Sequence, residues 1–317
     1  MENIILGTRG SELALTQTEM VTAALRAAHD GLRVERRIIQ TAGDKRQDLR
    51  FADFHSGAVP DADKGIFIKE LELALDDGRV HSAVHSLKDM PSALEERYHL
   101  AAILPRAPVQ DVLVTASPGG TLAGLRPGAR VGTSSARRAR QLAWLRPDIE
   151  VVEIRGNVPT RARKVLGENA LDAVMLAAAG LIRLGLMSPG GGEIRMEDVV
   201  LGAEELDADY FLPAAGQGAV AVECLAANHS ARDLFAPLDD AATRACVVAE
   251  REFLRLLGAG CQTPVGARSG VTGGALRLRV RVFDEADLAA PPVELEAEGS
   301  AEDPAALAAE LAARVKE

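Results

Sequence analysis

Apolar positions along the chain follow two periods. Residues 3–8 form a short, almost unbroken apolar run that reads as a buried strand, and Arg9-Gly10-Ser11 turns it into a helix with Leu13, Met20, Val21, Ala24, Leu25 and Ala28 on one face. Ser11 stands where an N-cap is expected. A second strand is predicted over 32–41. A long polar loop with Gly57 and Pro60 covers 43–64, as a lid or a disordered connection would. A helix over 66–77 stops at Gly78, and a strand over 79–84 leads into Ser86 to Met90, a loop because Pro91 keeps the residue before it out of helical geometry. This βαβαβ order predicts a parallel, doubly wound sheet.

Pro105, Pro108, Pro118, Gly119 and Gly120 punctuate a crossing into a second unit that repeats the grammar. Strands are predicted over 130–133, 149–154 and 171–176, and helices over 135–145, 158–166 and 178–184. A glycine-rich flexible loop covers 188–193, and a return strand near 217–223 rejoins the first unit. From about Asp240 the pattern changes to a long helix ending at Leu257, a glycine-rich loop, strands at 276–283 and 293–298, and an Ala-rich helix. The expected fold class is α/β, with two doubly wound lobes forming a cleft and a small α+β C-terminal domain. The first lobe takes 1–104 with 217–237, the second 105–216, and the third domain 238–317.

Length agrees with two or three domains, since 317 residues exceed one typical core. Only 3% of residues are aromatic against 47% hydrophobic, so the cores are aliphatic and a base-stacking platform is not expected. No apolar run approaches a bilayer span and the N-terminus lacks a secretory pattern, so the chain reads as soluble and cytoplasmic, with no membrane partner. Three widely spaced cysteines and six scattered histidines give neither a disulfide framework nor a metal cluster, and no metal is expected.

Charge changes the picture. The net charge of −10 disfavours nucleic acid, yet between Arg126 and Lys164 ten Lys or Arg face three acids, a local +7 in a chain whose remainder is −17. That island suggests a bounded anionic ligand. Within it, 131–138 is a strand, a turn of Thr133, Ser134 and Ser135, and a helix start with Arg137 and Arg138. Backbone N–H groups, hydroxyls and two forked cations of this kind suit a carboxylate or phosphate. Arg155 follows the next strand, Arg161 lies one turn further on, Arg183 ends a later helix, and Arg9 ends the first strand. Arginines from separate strand ends suggest a ligand with several carboxylates. Arg140, Arg146 and Arg163 read as ordinary solvated residues. Across the cleft, Lys88-Asp89 follows a strand whose carboxyl end faces the crevice of an open α/β sheet, although a Lys-Asp pair alone is usually a surface pair. Cys224 and Cys246 sit in apolar runs and read as core. Cys261 sits among small, turn-forming residues where another group could approach its sulfur.

Together, in order, these stretches carry a resemblance. They are Thr8-Arg9 with Ser11, Leu13, Ala14 and Gln17; Lys64-Gly65-Ile66-Phe67 with Lys69-Glu70-Leu71-Glu72; and Ala83-Val84-His85-Ser86-Leu87-Lys88-Asp89. Next come Val131-Gly132-Thr133-Ser134-Ser135 with Arg137-Arg138, Arg155-Gly156-Asn157-Val158 with Thr160-Arg161, and Ala179-Gly180-Leu181 with Arg183-Leu184-Gly185. Gly216-Gln217-Gly218 and Gly260-Cys261-Gln262 complete the set. Over essentially its full length the sequence resembles the hydroxymethylbilane synthase (porphobilinogen deaminase) family.

The resemblance implies two lobes of the type II periplasmic-binding-protein-like kind, and a transferase that joins four porphobilinogen molecules head to tail, releases ammonia at each addition and hydrolyses off linear hydroxymethylbilane. It implies a dipyrromethane cofactor bound through a thioether at Cys261, Asp89 as the catalytic carboxylate, and a monomer. Contacts to cofactor and substrate carry over to Arg9, Ser11, Gln17, Lys64, Ser86, Lys88, Thr133, Ser134, Ser135, Arg137, Arg138, Arg155, Arg161, Gly180, Arg183 and Gln217. The sequence departs from the family in a longer 45–63 loop, in His81 and Ser82 where Asp and an apolar residue are usual, and in Pro159 for a usual glycine. Two other readings compete: a non-enzymatic two-lobed anion-binding or effector-sensing protein, and an aldolase-like enzyme with Lys88 as Schiff-base lysine.

Overall fold

The computed structural model describes residues 3–41, 68–260, 263–287 and 289–316. The chain opens with β1 (Asn3–Thr8), α1 (Glu12–Ala28), β2 (Arg33–Ile38), α2 (Lys69–Asp76), β3 (Ser82–Ser86) and β4 (Tyr98–Ile103). The Ser11 hydroxyl accepts from the Ala14 N–H at 3.3 Å, satisfying one of the donors that a helix start leaves open. Val21 and Leu25 on the apolar face of α1 then bury against Ile4, Leu6 and Val84. α2 ends before Gly78, whose φ of 66° lets the chain reverse into β3.

A crossing at 104–110 leads into β5 (Asp111–Thr115), β6 (Arg130–Gly132), α3 (Ala136–Leu145), β7 (Glu150–Val152), α4 (Val158–Ala162), β8 (Ala173–Ala177), α5 (Ala178–Arg183), β9 (Glu193–Met196) and β10 (Val199–Glu205). These strands form a six-stranded sheet in the order β7-β6-β8-β5-β10-β9. All five residues of β5 are buried. Val112 and Val114 pack into one core and Leu113 into the other, which is why the middle of this strand is apolar on both faces. The chain recrosses at 216–218 into β11 (Val220–Leu225), which completes the first sheet as β2-β1-β3-β11-β4. The two crossings lie side by side: a Cβ on Gly218, whose φ is 85°, would fall 2.4 Å from the Ala107 carbonyl oxygen.

After α6 (His229–Phe235) come α7 (Ala241–Leu256), β12 (Val265–Thr272), β13 (Ala275–Val282), β14 (Val293–Ser300) and α8 (Pro304–Val315). Leu276, Leu278 and Val280 alternate inward on β13 against Phe253 of α7 and Leu307 and Leu311 of α8. Arg277 and Arg279 alternate outward and pair with Glu296 and Glu294. Among the described residues no helix is long and apolar enough to cross a membrane.

Three expectations are corrected. Both large sheets are mixed rather than parallel: β11 runs against β3 and β4, and β5 against β8 and β10. A βαβ unit carries the chain back to the edge where it began. A crossing delivers it to the cleft edge, so β11 starts at Val220 opposite Ser86, the last residue of β3, and must run the other way. The third sheet has three strands where two were expected, and Glu193, assigned to a loop, begins β9. The expected 43–64 loop lies outside the described residues.

Candidate active site

β3 ends at Ser86, and Leu87–Asp89 follow as one turn of 3₁₀ helix before the extended Met90. Leu87 and Met90 are buried, and the Leu87 N–H donates to the Ala219 carbonyl at 3.1 Å. These anchors leave Lys88 and Asp89 between them, with Asp89 exposed. The Ser86 hydroxyl is paired with the Gln17 amide of α1, at 2.7 and 3.1 Å. Lys88 Nζ donates to Gln217 Oε1 at 3.4 Å. Burial, then the nearby Arg138, push the Lys88 ammonium down to about 8, against the pull of Asp89 and Asp111.

Facing this turn is the β6–α3 junction. Ser135 caps α3, accepting from the Arg138 N–H at 3.4 Å, and Thr133 Oγ1 accepts from the Ser135 N–H at 3.2 Å, with Ser134 between them. Arg137 and Arg138 do not simply point into open cleft. Both are buried around Asp111, the first residue of β5. Arg137 Nη1 donates to Asp111 Oδ2 at 2.6 Å and to the Leu212 carbonyl at 2.7 Å. Arg138 gives Nε and Nη2 to Asp111 Oδ1 at 3.0 and 2.6 Å and Nη1 to the Met175 carbonyl at 2.9 Å. Burial alone would raise the Asp111 carboxyl. The two guanidiniums outweigh it and hold the group well below the usual carboxylate range. Gln217 Nε2 donates to Asp111 Oδ1 at 3.0 Å, so Lys88, Gln217, Asp111 and the two arginines form one chain of contacts between the ends of the two large sheets.

The remaining arginines come from other strand and helix ends. Half-buried Arg155 pairs with Glu153 at 3.1 Å. Arg161 is pushed down by burial and by Arg138 while Asp89 opposes, so these charges are near one another. Arg183 Nη2 donates to the Gly218 carbonyl at 2.6 Å, and burial pushes its guanidinium down to about 10. The Nε atoms of Arg137, Arg161 and Arg183 are buried without a partner. Half-buried Arg9 closes β1. Gly180 lies where α5 meets α1: a Cβ there would be 3.7 Å from Leu13 and 3.6 Å from Val158. Arg140, Arg146 and Arg163 have local roles, over the Phe283 ring, with Asp148 and with Asp198.

Lys64 and Cys261 lie outside the described residues. The residues on either side of the 261–262 pair, Gly260 and Thr263, line a pocket together with Leu87, Lys88, Met90, Ser135 and Arg137. Arg251 of α7 also lines it and donates to the Pro91 carbonyl at 2.6 Å. At the crossings, Arg106 makes a two-point contact with the fully buried Glu250 at 2.7 and 2.9 Å. Asp111, Arg106, Glu250 and Arg251 were not found from the sequence. The one available signal was the apolar run after Asp111, which marks a buried strand starting at a carboxylate.

On the other face of β3, His85 Nε2 lies 3.0 Å from the fully buried Glu223. Glu72 of α2 is pushed up to about 7 by burial, then by Glu223 and Glu95, with His85 and Arg97 opposing. Its proton is held more tightly folded than unfolded, so stability falls as pH rises from about 4.5 through about 7. Glu72→Gln should therefore be more stable than wild type at pH 8, by about 1 kcal/mol after solvent screening at this half-buried site. The gap should close below pH 4.5; urea unfolding at the two pH values checks it.

Comparison with known proteins gives the family. A family profile described as "Porphobilinogen deaminase, dipyromethane cofactor binding domain" matches residues 4–233, and "Porphobilinogen deaminase, C-terminal domain" matches 244–317. The chain is 46% identical to the porphobilinogen deaminase of Roseiflexus castenholzii over 310 residues, 98% of this chain and 94% of that one. It is 45% identical to that of Stenotrophomonas maltophilia K279a over 312 residues, 98% and 95% of the two chains. To that of Roseiflexus sp. RS-1 it is 49% identical over 278 residues, 88% and 85%. The chain belongs to the porphobilinogen deaminase (hydroxymethylbilane synthase) family, transferases that assemble four porphobilinogens into linear hydroxymethylbilane on a dipyrromethane cofactor.

Proposed function

We propose that porphobilinogen is activated and joined at Asp89, in a cleft whose arginines hold the carboxylates of the growing chain, with the cofactor attached at Cys261. The observation that carries this reading is the pocket reaching from Gly260 and Thr263 to Ser135, Arg137 and the two chain neighbours of Asp89, Lys88 and Met90. The donor set fits a polycarboxylated pyrrole: buried guanidinium Nε atoms of Arg137, Arg161 and Arg183 have no partner inside the protein. Lys88, Arg137, Arg161, Arg183, Arg155 and Arg9 would neutralise acetate and propionate groups, while Ser11, Gln17, Ser86, Thr133, Ser134, Ser135 and Gln217 orient the loops around them. Gly180 leaves room where the two lobes touch, and Lys64 completes the proposed set.

When bound, the dipyrromethane supplies a carbon nucleophile that primes the chain. The protein's work is electrostatic. Loss of ammonia from the aminomethyl arm of porphobilinogen leaves a cationic methylene pyrrolenine. The exposed Asp89 carboxylate, held by the buried Leu87 and Met90, stabilises that charge, accepts from pyrrole N–H groups and takes the proton released on coupling. Lys88 and Arg161 nearby would bind neighbouring carboxylates.

The finer architecture belongs to the same reading: two lobes of the type II periplasmic-binding-protein kind at 1–104 with 217–237 and 105–216, and a cofactor-bearing domain at 238–317. The paired crossings at 104–110 and 216–218 support it. We also carry over a cytoplasmic monomer, which light scattering of the purified protein checks. The attachment is tested by intact mass. Wild type from cells supplying porphobilinogen should carry one dipyrromethane adduct and Cys261→Ser none. An adduct retained in the variant would remove Cys261 from its role.

A further inference from the structure

We infer that the third domain aims Arg137 through a buried relay headed by Arg281, making Arg281 and Gln141 positioning residues for ligand carboxylates. This rests on the proposed role of Arg137. Arg281 lies on β13 and is 3% exposed. Its Nη1 donates to Gln141 Oε1 and to the Tyr210 carbonyl, both at 2.8 Å, and its guanidinium lies 4.6 Å from the centre of the Trp144 ring. Gln141, fully buried on α3, grips Leu212 at both backbone atoms. Its Oε1 accepts from the Leu212 N–H at 2.8 Å and its Nε2 donates to the Leu212 carbonyl at 2.9 Å. That same carbonyl accepts from Arg137 Nη1 at 2.7 Å.

Leu212 O and Asp111 Oδ2 thus both hold Arg137 Nη1, and the side chain so fixed lines the pocket, its buried Nε without a partner inside the protein. From the other side the third domain presses on the same segment. The Ala267 N–H donates to the Pro213 carbonyl at 2.9 Å, and a Cβ on Gly266 would fall 2.6 Å from Leu212 Cβ. The 210–213 segment is therefore clamped between α3 and the β12–β13 sheet, and its position sets where the guanidinium points. A hydrogen bond to a charged group is sensitive to such displacement, because geometry decides how much of its strength is realised.

The test uses holoenzyme, with adduct content checked by intact mass. Arg281→Met removes the head of the relay. Gly266→Ala displaces Leu212, whose carbonyl oxygen would lie 3.2 Å from the added Cβ, without removing any polar side chain of the relay. Each should raise KM for porphobilinogen about tenfold with kcat within about twofold of wild type, the size expected when one charge-assisted contact is misaligned. A merely structural role would lower the melting temperature and leave KM alone. Arg137→Ala separates the two layers. If it leaves KM unchanged, the role of Arg137 itself falls. If it raises KM while Arg281→Met and Gly266→Ala both keep the wild-type KM, the relay is overturned. Should Arg281→Met fail to fold, Gly266→Ala decides.

Discussion

Asp111→Ala is expected to cost about 3–5 kcal/mol of stability in urea unfolding, far more than any single surface charge in this chain. Asp111 is fully buried and accepts from Arg137, from Arg138 at two nitrogens and from the Gln217 amide. Replacing it with an apolar pair-breaker leaves two buried guanidiniums and an amide donor without their shared acceptor. The desolvation of those cations is then uncompensated, which is the costly case for a buried ion cluster. By contrast, Arg163 and Asp198 pair at the surface, where solvent screens the pair, and losing either should have far less effect. The variant should also bind cofactor poorly, since Arg137 loses one of the two acceptors that orient it. A loss below 1 kcal/mol with normal adduct content would show that Asp111 does not organise the arginines.

The second large effect concerns chemistry. Asp89→Asn keeps the size and most hydrogen bonds of the side chain but removes its negative charge. Asp89 is exposed on a rigid turn, so its loss should leave the fold and the cofactor in place. On the proposed role of Asp89, what disappears is the charge that opposes the cation formed when ammonia leaves. Removal of one such electrostatic or proton-transfer group slows turnover by about a thousandfold, equivalent to about 4 kcal/mol of transition-state stabilisation.

Local features of this fold were legible in the sequence where one segment decides them. Ser11 followed by an apolar stripe placed α1, and Gly78 ended α2 through its left-handed backbone. Strand direction was not legible, because apolar runs mark a strand and say nothing of which way it runs. That depends on the crossings, which bring Val220 beside Ser86 and Asp111 beside Ala177. β5 was hidden because Val112-Leu113-Val114 is short and follows prolines, so it reads as part of a connection. β12 was hidden because Gly266, Ser269 and Gly270 interrupt the alternation, and its pairing with β13 supplies what propensity does not.

The candidate site divides in the same way. Asp89, Lys88 and the arginines stood out by type and by position at strand ends. Their pairings did not: Gln217, carried over as a site residue by the resemblance, is 129 residues from Lys88 and 106 from Asp111, and nothing in local spacing joins them. Arg137 and Arg138 were read as ligand-facing, and the structure adds that Asp111 occupies much of their hydrogen-bonding capacity. Only an arrangement in space shows that Arg137 Nη1 is taken by Asp111 and Leu212 while its buried Nε has no partner.

The central claim is that Asp89 is the carboxylate on which each addition depends. Its most direct measurement is single-turnover ammonia release from Asp89→Asn holoenzyme whose dipyrromethane adduct has been verified by intact mass. The account predicts full adduct content and ammonia release slowed by about a thousandfold. Release at close to the wild-type rate from fully loaded enzyme would contradict it.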